Sequence, residues 1–247
     1  MTLARRRVIR RRRQVAAGAL LLCCTLIVIG GFRLAAALTN GPATTAGKGT
    51  RGPVTMPVRP NPSRATGVYA RAPDAPVSHG SGTLRTYRVE VETGNRQDAR
   101  AFAAAVDATL ADPASWTGQG RWSLQRVDGD DVDFVVRLAT PTTVDDACAA
   151  AGLDTQGYVS CRSGKFVMIN LDRWLGAVPD YRGDVALYRK YVVNHEVGHA
   201  LGYGHQACPG PGRLAPVMQQ QTLGLDGCLV NGWPYVDGKL VTGPATA

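Results

Sequence analysis

The chain has 247 residues and a formal charge of +9, from 28 Lys and Arg against 19 Asp and Glu. That length suits one sizeable domain with appendages and is short for two domains. The charge invites a nucleic-acid reading, but its distribution excludes one. Residues 1–13 hold seven arginines and no acid, and 14–82 hold six basic residues against Asp74 alone. Residues 83–247 hold 15 Lys and Arg against 18 Asp and Glu, a balance of −3. The basicity belongs to the N-terminal third, which leaves a phosphate-tracking surface without support.

Residues 1–13 predict a basic cytoplasmic tail. The run Gln14 to Phe32 carries no charge and is rich in Leu, Ile, Val and Ala. At about 1.5 Å rise per residue, a helix of that length matches a hydrocarbon layer of ~30 Å. Residues 14–38 are therefore expected to form a transmembrane signal-anchor. The arginines before it hold the N-terminus in the cytoplasm and place the rest outside. The alternative is a signal peptide cut after Ala35-Ala36-Ala37 and a secreted product; the length of the apolar run favours the anchor.

Residues 39–82 consist mainly of Pro, Gly, Ala, Thr, Ser and Arg, with His79 among them. Such a stretch has too little apolar surface to offset its ordering entropy, so a disordered tether is expected. Cys23 and Cys24 fall in the apolar span. Cys148, Cys161, Cys208 and Cys228 make an even set suited to an oxidising compartment. Four cysteines allow three pairings, and proximity in sequence favours Cys148–Cys161 and Cys208–Cys228.

The extracytoplasmic domain, 83–247, reads as a series of elements. Residues 84–92 alternate as a strand, with Tyr87, Val89 and Val91 on one face. Residues 97–111 put Phe102, Val106 and Leu110 at i, i+4 and i+8, a helical face that Pro113 ends. Strands are expected at 121–127 and 132–139, separated by Asp128-Gly129-Asp130-Asp131. Two more, at 157–162 and 165–171, are joined by a tight Ser163-Gly164 turn. A long helix follows, over about 184–201.

That helix contains His195-Glu196-Val197-Gly198-His199. Histidines four apart lie one turn above the other on one face, so both imidazoles reach a single ion. Glu196 is rotated about 100° from His195, beside the metal, where it takes a proton from water that the metal acidifies. The pattern continues through Gly202 and Tyr203 to His205, giving H-E-x-x-H-x-x-G-x-x-H. A third histidine at that distance reaches the same ion only if the chain turns sharply. Glycine at 202 accepts the positive φ such a helix end requires. Three of the four histidines in the chain belong to this pattern.

The segment resembles the zinc-binding signature of the metzincin metallopeptidases. The likeness covers roughly residues 84–230. It implies an α+β fold: a mixed twisted sheet of about five strands, one of them an antiparallel edge strand, with a crossover helix and an active-site helix. It further implies one catalytic Zn2+ held by His195, His199 and His205, with Glu196 as general base. Pro216-Val217-Met218 corresponds to that clan's methionine turn, with Met218 as a floor under the metal. Gly157–Arg162 corresponds to the edge strand that pairs with an extended peptide substrate. If Cys208 pairs with Cys228, the bridge encloses the Met218 loop. Two departures stand out. Gln220 occupies the position where some metzincins have a tyrosine ligand, so three histidines and water are expected. Gln206 follows the third histidine and matches no common subfamily label. The arginine-rich start, single span and Ala/Pro-rich tether are similar to an uncharacterised actinobacterial group of membrane-anchored, metzincin-like domains.

The leading expectation is thus a zinc endopeptidase acting on a peptide or protein substrate outside the membrane. The competing one is a non-catalytic, zinc-stabilised module that binds envelope protein or glycan. Glu196 separates them, because a structural zinc site has no need of a carboxylate beside an open coordination position.

Overall fold

The computed structural model describes residues 65–246. The expected basic tail (1–13), the expected membrane span (14–38) and residues 39–64 of the expected tether lie outside the described residues. Among the described residues, no helix is long and apolar enough to cross a membrane.

Strands β1 (Tyr69–Arg71) and β2 (Ser78–Gly80) precede the long β3 (Thr83–Glu92). Then come α1 (Ala99–Leu110), β4 (Trp122–Arg126), β5 (Phe134–Ala139) and α2 (Pro141–Ala149). They are followed by β6 (Cys161–Ser163), β7 (Phe166–Asn170), α3 (Leu171–Gly176) and a 3-10 turn at Pro179–Tyr181. Helix α4 (Val185–Ala200) and the hairpin β8 (Tyr235–Val236) and β9 (Lys239–Leu240) complete the order. The main sheet runs β2-β4-β3-β5-β7-β6, and β1 pairs with β3. Neighbours β4, β3, β5 and β7 are parallel, whereas β1, β2 and β6 are antiparallel additions.

The class expected from sequence, a mixed sheet with helices, is the one observed. Its details are richer. Among the described residues the main sheet has seven strands where about five are expected, and there are four helices where two are expected. The edge strand expected at 157–162 is confined to Cys161–Ser163. Gly157 turns instead, with φ +64° and its N–H donating to Asp145 Oδ1 at 2.8 Å. Helix α2 was not expected, although Pro141 at its first turn is a start signal.

The tether boundary at 82 also needs correction, since residues 69–71 and 78–80, with His79, are strands. Apolar burial is a poor guide there because backbone ladders and one carboxylate hold the segment. Glu92 is fully buried. Its Oε1 accepts from Thr66 N at 2.7 Å, Gly67 N at 2.9 Å and Thr143 Oγ1 at 2.7 Å, and its Oε2 from Thr140 N at 2.8 Å. Burial pushes this carboxyl upward, but the donors from Thr143, Thr140, Gly67 and Thr66 outweigh it and hold it below the usual range.

Tyr87, Val89 and Val91 face the core, as the alternation requires, against Phe102, Val106 and Leu110 of α1. Asp98 caps α1 by accepting from Ala101 N at 2.8 Å. Helix α4 lies across the same core: every residue from Tyr191 to Gly198 is buried. Burial on all sides explains why α4 lacks an amphipathic stripe. Asp184 caps it through Leu187 N at 2.9 Å.

Candidate metal centre

The C-terminal end of α4 builds the site. Gly202 has φ +93°. Its N–H donates to His199 O at 3.1 Å, and Tyr203 N–H donates to Gly198 O at 2.9 Å. This pair of bonds is a Schellman closure with glycine in the left-handed position, and it turns the chain back over the helix end. His205 thereby returns to the two helical histidines. Ligand atoms of His195, His199 and His205 all lie within 4.8 Å of one another, and Nε2 of His199 and His205 are 3.0 Å apart.

Each helical histidine is oriented by a backbone carbonyl. Nδ1 of His195 is 2.8 Å from Val217 O, and Nδ1 of His199 is 2.9 Å from Tyr203 O. A carbonyl only accepts, so each Nδ1 carries the proton and each Nε2 keeps its lone pair. Burial, then the His199 charge, pushes His195 down to about 3. Burial lowers His199 and His205 as well. Neutral imidazoles are the form that ligates. Three neutral nitrogens converging on one point, with no fourth His, Cys, Asp or Glu in the group among the described residues, suit Zn2+ with an open position. The residues therefore fit the ion the sequence implies.

Glu196 is 4% exposed, and its Oε2 has no hydrogen-bond partner. Burial pushes its carboxyl up to about 8. It lines a cleft of about 490 Å³ that also contains the three histidines, Tyr191 and Gln220. Gln220 is exposed at the cleft wall.

Met218 lies beneath the helix, 2% exposed. A Cβ added at Gly198 would come within 2.5 Å of Met218 Sδ and 2.9 Å of Trp116 Cζ2. Gly198 is thus the gap into which Met218 and Trp116 pack, between the two helical histidines. The Met218 loop is braced from three sides. Its carbonyl accepts from Gln206 N at 3.1 Å, Tyr191 Oη donates to Gln219 O at 3.1 Å, and Tyr181 Oη donates to Gln221 Oε1 at 2.9 Å.

A scan against protein-family models matches residues 56–235 to a family described as "Protein of unknown function (DUF3152)". The chain belongs to the DUF3152 family. The matched stretch includes β1 and β2, in keeping with their place in the sheet. No curated protein and no solved structure matches the chain.

Both disulfides favoured by sequence proximity are formed, Cys148–Cys161 and Cys208–Cys228. Sequence reasoning missed the packing behind the histidines. Trp116 stacks on Tyr203 with ring centroids 4.2 Å apart, and its Nε1 donates to Asn194 O at 2.8 Å. Asn194 Oδ1 accepts from Ser115 Oγ at 2.7 Å, and Asn194 Nδ2 donates to Gly232 O at 2.9 Å. The only signal for this bracket was a tryptophan in an otherwise small and polar loop.

These contacts set one expectation. In an ordinary helix interior, Gly→Ala stabilises by ~1 kcal/mol. At Gly198 the added methyl must displace two buried side chains, which costs about 1–3 kcal/mol. Gly198→Ala should therefore lower the urea midpoint and weaken zinc binding. A midpoint equal to or above wild type would show that Met218 and Trp116 yield freely.

Proposed function

We propose that this protein is a zinc-dependent endopeptidase of metzincin type, acting on peptides or proteins outside the cytoplasmic membrane. The observation that carries the reading is Glu196, a buried carboxyl with an unpartnered oxygen, set beside three converging imidazoles. A structural zinc site leaves no reason to bury such a group. Two disulfides agree with an oxidising, extracytoplasmic location. The anchor at 14–38 belongs to the same reading.

His195, His199 and His205 would hold the ion, which when bound supplies a Lewis acid that acidifies water and polarises a carbonyl. The chain's own residues do the rest. Val217 and Tyr203 carbonyls keep the first two imidazoles aimed. Glu196 takes the proton from the attacking water and returns it to the leaving amine. Strand β6, at the end of the sheet order, offers its outer edge to an extended peptide alongside the cleft.

The test is metal analysis of the full chain combined with cleavage of a peptide library. One zinc per chain and cleavage that stops on chelation are expected. His205→Ala should lower both metal content and cleavage. Zinc at one per chain with no peptide cleaved would favour the binding module; undiminished zinc in His205→Ala would remove that ligand.

A further inference from the structure

Among the described residues lining the cleft, Arg162 is the sole Lys or Arg. It is the central residue of β6, paired with Val167. Val167 packs in the same core as α4, whereas the flanking Cys161 belongs to the separate cluster with Cys148 and Met168. Arg162 therefore projects on the side of the sheet that carries the histidines.

The side chain is exposed. Among the described residues it has no carboxylate or aromatic partner, unlike Arg85, Arg126 and Arg137, which are ion-paired, and Arg173, which stacks on Tyr158. The cleft holds two acids. Glu196 is buried in the floor, and Asp154 is exposed and accepts from Gln156 N and Nε2 at 3.1 and 3.3 Å. An extended peptide lying against β6 would thus meet the Arg162 guanidinium as the one Lys or Arg side chain among the described residues lining the cleft. Exposed Leu153 and Leu223 also line the cleft.

We infer that Arg162 is a specificity-determining residue that receives a carboxylate of the bound peptide, so that acidic substrates are preferred. The inference rests on the peptidase reading only in that the cleft holds a peptide. The carboxylate comes from an acidic side chain or from a free C-terminus, and guanidinium pairs with either.

The experiment is fluorescence anisotropy on the full chain carrying Glu196→Gln, loaded with zinc so that binding is read without turnover. The probes are labelled Leu-rich peptides differing at one position, Glu, Gln or Lys, each as C-terminal acid and amide. The Glu peptide, the free acid or both should bind about tenfold more tightly than the neutral twin, the scale of one charge-assisted pair. A gain with Glu in the amide series identifies a side-chain carboxylate; a gain of acid over amide with Gln identifies the C-terminus. Adding Arg162→Glu should shift the preference to Lys, and adding Arg162→Gln should abolish it. Equal affinities across the series, no binding at all, or a preference that survives both Arg162 variants would overturn the inference. Wild-type cleavage without charge preference would overturn it while leaving the peptidase reading. Charge-selective binding without any wild-type cleavage would do the opposite.

Discussion

Glu196→Gln should leave zinc bound and reduce kcat/KM on a peptide substrate by ~10²–10⁴, the usual share of a positioned acid–base group. Glutamine has nearly the volume of glutamate, so a side chain that is 4% exposed is replaced without a cavity. Only the capacity to take and return a proton is lost. The metal ligands should not notice, because their orientation comes from Val217 O and Tyr203 O and owes nothing to Glu196. Folding should be nearly unchanged. An amide in its place buries an unpartnered polar group of the same size, so the change in folding stability should be about 1 kcal/mol or less. Zinc stoichiometry, thermal unfolding and kcat/KM on one preparation separate these effects. Cleavage within a factor of about ten of wild type would remove Glu196 from the assigned role.

The histidine pattern was legible in the sequence because each position is constrained by elementary geometry. Four-residue spacing fixes one helix face, and Gly202 supplies a backbone conformation that other residues enter only with strain. The structure brings His195, His199 and His205 together as that geometry implies. What covers the site was less legible. Met218 was expected beneath the metal through a family resemblance; nothing in the sequence pairs it with Gly198, since most of the chain between the two is loop. Trp116 reaches α4 from a loop that precedes β4, and no local periodicity encodes such a bracket. β1 and β2 were read as tether because composition reports side-chain burial. They are held by ladder bonds and by the Glu92 carboxylate, which composition does not weigh. Helix α2 escaped for the opposite reason. Its start signal at Pro141 was present, but only Val144 and Cys148 are buried, too few to mark an apolar face.

The Cys208–Cys228 bridge should matter to the metal as well as to the fold, and a comparison with Cys148–Cys161 separates the two roles. Their spans are 20 and 13 residues, so by loop entropy each should contribute about 3 kcal/mol. Replacing either pair with serine should thus lower Tm by roughly 6–12 °C for a folded region of this size. Only the first pair encloses Pro216–Gln221, the loop whose Val217 carbonyl orients His195 and whose Met218 fills the gap at Gly198. The segment around that loop has little regular structure, with the Leu214–Leu229 bridge as its paired backbone. Without the covalent closure it can open while the sheet and α4 stay folded, and opening removes the carbonyl behind His195. Cys148–Cys161 instead ties α2 to β6 in a cluster with Ala139, Val144 and Met168. Zinc should therefore be lost to a chelator several-fold faster from the Cys208/Cys228 double serine variant than from the Cys148/Cys161 one, at matched distance below each Tm. Equal rates of loss from the two variants would mean that the Met218 loop is held by its hydrogen bonds alone.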